Sequence, residues 1–77
     1  MKNYGIVTEY NGFYGKIKGV DAIDYRFFKE DVLKDQPVET NKHVEFEPQK
    51  IEKTDITVYR ANYVKVLQKT KDDARQR

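Results

Sequence analysis

The sequence contains no cysteine, no tryptophan and no serine, a single histidine and methionine, and only two prolines and four glycines. Without cysteine there are no disulfides and no thiolate metal sites, so stability must come from packing and closure of the fold, and a cytoplasmic setting is expected. Without serine or cysteine a Ser- or Cys-based nucleophilic triad is excluded, and one histidine gives little support for imidazole acid–base chemistry. No glycine-rich phosphate loop is present. An enzyme is therefore not expected, and neither is a cofactor. Apolar runs never exceed two residues, so no membrane span and no signal-peptide apolar region near Met1 is expected. A large excess of one charge is also missing: 15 basic residues face 13 acidic ones, for a net charge of +2. Residues 1 to 35 carry six of each sign and residues 36 to 77 carry nine basic against seven acidic, so any attraction for phosphate must come from local arrangement on one face.

What is present is a 77-residue chain with room for one small core, since a domain of this size buries only about 60% of the surface its unfolded chain exposes. Tyr4 to Tyr10 reads as a first strand, ended by the turn dipeptide Asn11-Gly12. Its register is ambiguous, because Tyr4, Ile6 and Tyr10 form one apolar set and Val7 belongs to the other; a bulge reconciles them. Phe13 to Lys18 and Ala22 to Phe28 read as a hairpin across Gly19-Val20-Asp21. Lys29 to Leu33 fits one short helical turn with Val32 and Leu33 packing inward, followed by a polar connection from Lys34 to Lys42. His43 to Glu47 alternates as a half-buried strand that Pro48 is expected to stop, with Gln49 to Asp55 as a charged hairpin loop. Ile56 to Leu67 reads as a long last strand with Ile56, Val58, Val64 and Val66 in the core, and Ala61 off that alternation at a second bulge or bend. Gln68 to Arg77 reads as a frayed polar tail. The expected fold is all-β: a small, closed or nearly closed, five-stranded antiparallel barrel over residues 1 to 67, with one short helical turn after the third strand.

The hairpin from Gly12 to Phe28 concentrates the chemistry. Successive strand side chains point to opposite faces, so Tyr14, Lys16 and Lys18 share one face and Asp24, Arg26 and Phe28 share one face of the partner strand. Rings mixed with cations suit single-stranded nucleic acid, where rings stack on bases and cations follow phosphates. The expected binding residues are Tyr14 and Phe28 for stacking, with Lys16, Lys18, Arg26 and Lys29 for the backbone. The plainer alternative is an ordinary cross-strand aromatic pair surrounded by solvated cations. Glu9 on the same face opposes phosphate unless it pairs with Lys16 or Arg26. His43, Glu45 and Glu47 share a strand face, but one imidazole and two carboxylates on a flat strand rarely close a metal shell, so no metal is expected.

These pieces, in this order, resemble the cold-shock domain. Gly5-Ile6-Val7-Thr8-Glu9-Tyr10-Asn11 is similar to the family's GxVKWFN, Gly12-Phe13-Tyr14-Gly15-Lys16-Ile17 to KGFGFI, and Asp24 through Val32 to DVFVHxSxI. Val44-Glu45-Phe46-Glu47 resembles the VxFE strand and Ala61-Asn62-Tyr63-Val64 the closing AxNV. The resemblance implies an OB-type barrel that binds single-stranded RNA or DNA without catalysis. It also implies an altered platform. Glu9, Lys16 and Arg26 stand where the family has outward rings, Lys29 where a ring is frequent, and Phe28 where a histidine is usual; Tyr14 keeps its place, and the turn before Ile17 is shorter than the family pattern. The rival expectation is a barrel reused as a protein-interaction or accessory module, because one fold hosts many functions.

Overall fold

A computed structural model describes residues 2–33 and 37–67. The polar tail expected over 68–77, and Lys34 to Gln36 of the polar connection, lie outside the described residues. Five strands, β1 (Asn3–Tyr10), β2 (Tyr14–Gly19), β3 (Asp24–Phe28), β4 (His43–Glu52) and β5 (Thr57–Val66), form a closed barrel in the order β1-β2-β3-β5-β4. One 3₁₀ turn, Lys29–Asp31, follows β3. Closure leaves no strand without a neighbour, which solves the edge problem of a small sheet. β1 pairs antiparallel with both β2 and β4, β2 with β3, and β4 with β5. The last gap is closed by a short parallel pairing of β3 with β5 at Arg26 and Arg60, extended by a parallel bridge between Val32 and Val64.

Every strand contributes to one core. Val7, Ile17, Phe27, Val44, Phe46, Ala61 and Val64 are fully buried and Tyr25 nearly so. Burying a side chain of the Val, Ile or Phe class is worth about 1.5–3 kcal/mol, so these residues carry most of the driving force. The aromatic members interlock: Tyr10 stacks on Phe27 at 5.5 Å between centroids, and Tyr25 meets Phe46 at 4.8 Å and the edge of Tyr59 at 5.9 Å.

Two bulges set the faces. The β1–β2 register slips between Val7 and Glu9, which puts Tyr10 on the same inner side as Val7, while Tyr4 and Ile6 lie outward and exposed. Of the two apolar sets in β1, the core therefore takes Val7, and Tyr10 reaches it only from beyond the slip. The β4–β5 register slips between Glu45 and Glu47, opposite Tyr63, whose φ of 53° places it in the left-handed region. That slip brings Ala61 and Val64, three residues apart, onto the same inner side.

Several expectations are corrected. β4 does not stop at Pro48; it runs to Glu52, and Pro48 pairs with Ala61. The reason is position: β1 accompanies β4 only as far as Phe46, so beyond it β4 has β5 as its one neighbour, and a missing N–H on the free side costs no ladder bond. The hairpin loop accordingly shrinks to the residues between Glu52 and Thr57, closed by the Lys53 N–H donating to the Ile56 carbonyl at 2.8 Å. Ile56 lies in that turn, 57% exposed, and is not a core residue. Leu33 is also exposed, whereas Val32 packs on the core; the bridge to Val64 faces Val32 inward, so its neighbour must face out.

Candidate nucleic-acid interface

The β2–β3 ladder places Tyr14 opposite Phe28, Lys16 opposite Arg26 and Lys18 opposite Asp24. Alternation fixes which side they take, because Gly15, Ile17, Tyr25 and Phe27 between them are buried. All six predicted alternating residues therefore share the outer surface. The Tyr14 and Phe28 rings meet at 5.6 Å with planes 48° apart, so the cross-strand aromatic pair does form, and Phe28 is still 40% exposed. Tyr14 is held from the other side by the turn: the Asn11 side-chain carbonyl accepts the N–H groups of Phe13 and Tyr14 at 2.9 and 3.0 Å.

The turn also supplies a ring that alternation along the strand did not reveal. Phe13 sits at its corner, 70% exposed, and its carbonyl accepts the Lys29 N–H at 2.8 Å, which brings Phe13, Tyr14, Phe28 and Lys29 to one end of the surface. The Asn11 turn was the available signal, because a residue at a turn corner escapes burial in either strand.

Charge on this surface is distributed unevenly. Lys18 pairs with Asp24 at 3.6 Å with both side chains more than half exposed, an arrangement worth little in water. Lys16, Arg26 and Lys29 have no carboxylate within ion-pair distance among the described residues. Glu9 stands opposite Lys16 in the β1–β2 register, yet no ion pair links them or joins Glu9 to Arg26. Glu45 is engaged elsewhere, by Lys2 at 3.0 Å, and that contact raises the Lys2 pKa, through the hydrogen bond first and the charge second. Among the described residues no cluster of His, Asp and Glu is placed to hold a metal ion, and His43, Glu45 and Glu47 are no exception.

Barrel closure adds a residue that sequence order conceals. The parallel pairing of Arg26 with Arg60 extends the Glu9, Lys16, Arg26 row onto β5. Arg60 lies over the Phe28 ring, 5.1 Å from guanidinium carbon to centroid, and forks onto Asp31. No local pattern marks Arg60, since its place depends on a contact between segments more than thirty residues apart.

At the other end of the hairpin the groups are structural. Asp21 accepts the Tyr25 hydroxyl at 2.7 Å, the Ile23 N–H at 3.1 Å and the Asn3 amide at 3.0 Å. Desolvation raises the Asp21 carboxyl pKa, but these hydrogen bonds together with one from its own backbone outweigh it and the net shift is downward. Tyr25 is pushed up, by desolvation first and by its bond to Asp21 second. Asp21 is thus a turn residue that ties β1 to β3.

No protein-family model matches the chain, and no curated protein matches it. Solved structures do. The structure named drosophila Unr CSD456 superposes with a TM-score of 0.71 at 19% identity, covering 92% of this chain and 29% of that one. The closed five-stranded barrel thus shares its fold with the cold-shock domain of that structure. The chain spans less than a third of the length of that neighbour. On this barrel, the surface just described lies on β2 and β3, flanked by β1 on one side and β5 on the other. No helix among the described residues is long and apolar enough to cross a membrane.

Proposed function

We propose that this chain is a cold-shock-like module that binds single-stranded RNA or DNA without catalysis. The observation that carries the reading is the Tyr14–Phe28 pair beside two cations, Lys16 and Arg26, that no carboxylate pairs with among the described residues. Bases stack on Tyr14, Phe28 and the exposed Phe13, while Lys16, Arg26 and Lys29 follow the phosphates; Lys18, partly engaged by Asp24, contributes less. With cations standing where a typical cold-shock surface has rings, electrostatics supplies a larger share of the affinity, and binding falls steeply with salt. The named neighbour supports the reading through its fold, and the ring-and-cation surface supports it independently.

The test is an amide-shift titration with short oligopyrimidines at low salt. Saturable shifts centred on β2 and β3 are expected. No saturable change up to millimolar ligand, or shifts confined elsewhere, refutes the reading.

A second reading, a protein-interaction module, has one observation in its favour. Tyr4, Ile6, Val20 and Leu67 line an apolar groove across β1, with Val20 76% exposed. Shifts from an added protein partner at Tyr4, Ile6 and Val20, with none from oligonucleotide, would favour it.

A further inference from the structure

Among the described residues, Arg60 is the cation with the most side-chain hydrogen bonds. Its Nε donates to Asp31 Oδ2 at 3.2 Å, and its Nη2 donates to Oδ1 and Oδ2 at 3.0 and 3.1 Å. Asp31 is itself fixed, because Oδ2 also accepts the Phe28 N–H at 2.9 Å and its side chain is only 9% exposed. The guanidinium is thus braced along one edge and rests over the Phe28 ring. An arginine carries five N–H donors in a rigid fork. The brace uses Nε and one side of Nη2, leaving both Nη1 hydrogens and the outer Nη2 hydrogen without an acceptor among the described residues.

We infer that Arg60 is a specificity-determining residue that reads guanine, through the free Nη1/Nη2 end of its fork, next to the bases stacked on Tyr14 and Phe28. This rests on the proposed binding of single-stranded nucleic acid. Three features point to a base rather than a phosphate. The Asp31 carboxylate largely cancels the guanidinium charge and repels a second anion at the same group. Cations without an ion-pair partner among the described residues are already at hand for the phosphates, Arg26 paired with Arg60, Lys16 paired with Arg26, and Lys29 after Phe28. A braced fork has lost its side-chain freedom in advance, which favours a directional bidentate partner over a diffuse charge. Guanine presents O6 and N7 as two adjacent acceptors, the match for two parallel N–H donors. Adenine sets a donor amine beside N7 and meets the fork with one repulsive contact. In a single strand that edge is unobstructed.

The experiment uses thymine hexanucleotides carrying one guanine at each position in turn, with adenine, cytosine and 7-deazaguanine replacements, titrated against the full chain. At one position guanine is expected to bind at least about fivefold tighter than adenine or cytosine. The 7-deazaguanine oligomer, which lacks only the N7 acceptor, should lose that advantage. In Arg60→Gln the guanine-to-adenine ratio should fall to one or below, because an amide matches adenine N6 and N7 rather than guanine O6 and N7. Hexathymidine binding by Arg60→Gln should keep the wild-type salt slope; a fall of about one unit marks a phosphate contact and overturns the inference. Hexanucleotides that bind with no guanine preference, or with equal preference for 7-deazaguanine, overturn it while leaving the proposed function intact. If none of them binds, both fall together.

Discussion

Gly15 stands between two site residues, Tyr14 and Lys16, on the opposite face of β2, and its replacement by alanine tests the packing beneath the binding surface. Gly15 pairs with Tyr10 of β1 and Phe27 of β3. A Cβ added there lies 2.5 Å from the Glu9 carbonyl oxygen and 2.6 and 2.7 Å from Cζ and Cε1 of Phe27. Carbon pairs rest at about 3.5–4.0 Å, so the ring must retreat by roughly an ångström. It has nowhere to go: Phe27 is fully buried and stacked on Tyr10, and the carbonyl belongs to a strand backbone. Overpacking of this kind costs about 1–3 kcal/mol, and with backbone on one side the upper end applies. For a domain of this size each kcal/mol lowers Tm by about 4–8 °C, so Gly15→Ala should melt roughly 12–24 °C below the wild type. Thermal melts followed by far-UV circular dichroism, with urea titrations to confirm an unchanged m value, measure the loss. Phe27→Leu removes the clashing ring atoms, so the double variant should be less destabilised than the sum of the single ones by at least about 0.5 kcal/mol. A Tm drop under about 4 °C for Gly15→Ala, or strict additivity in the cycle, refutes the argument.

Other consequences are equally specific. Tyr14→Ala should weaken oligonucleotide binding by about 1–3 kcal/mol, the worth of one stacked base, measured by titration at fixed salt. Lys16→Glu combined with Arg26→Glu should abolish binding at low salt while Tm stays nearly unchanged, since neither side chain has an ion-pair partner among the described residues; preserved affinity contradicts the proposed surface. Phe46→Ala, which empties a fully buried site between Tyr25 and the barrel wall, should cost about 3–5 kcal/mol and leave little folded protein at 37 °C, seen by the same melts. The Asp21 pKa is lowered on folding, so its stabilisation is present above the unfolded carboxyl value of 3.8 and disappears as pH falls through the lower folded value. The Tyr25 pKa is raised, so its contribution is complete below 10.0 and disappears as pH rises through the folded value. Melts across both ranges should show Asp21→Asn flattening the acid limb and Tyr25→Phe the alkaline one.

The sequence by itself determined the number and order of the strands, the two breaks in alternation, the turn after β3 and the outward placing of Tyr14, Lys16, Lys18, Asp24, Arg26 and Phe28. All of these are local: a period of two, a turn dipeptide or a misplaced alanine announces them within a few residues. Burial and pairing across the barrel were decided elsewhere. Val7 rather than Tyr4 or Ile6 faces the core because the register against β2 sets it opposite the buried Ile17. Pro48 sits inside a strand because β1 ends its pairing before reaching it, which no property of Pro48 reveals. Ile56 reads as core by its hydrophobicity and is exposed because the hairpin extends past the barrel to a turn at that residue. Phe13 joins the surface through the corner that Asn11 makes, and Arg60 only through the parallel closure of β3 on β5 and the reach of Asp31. The rings and cations of the hairpin were legible because neighbours along a chain place one another; the braced arginine above Phe28 was not, because only closing the barrel brings it there.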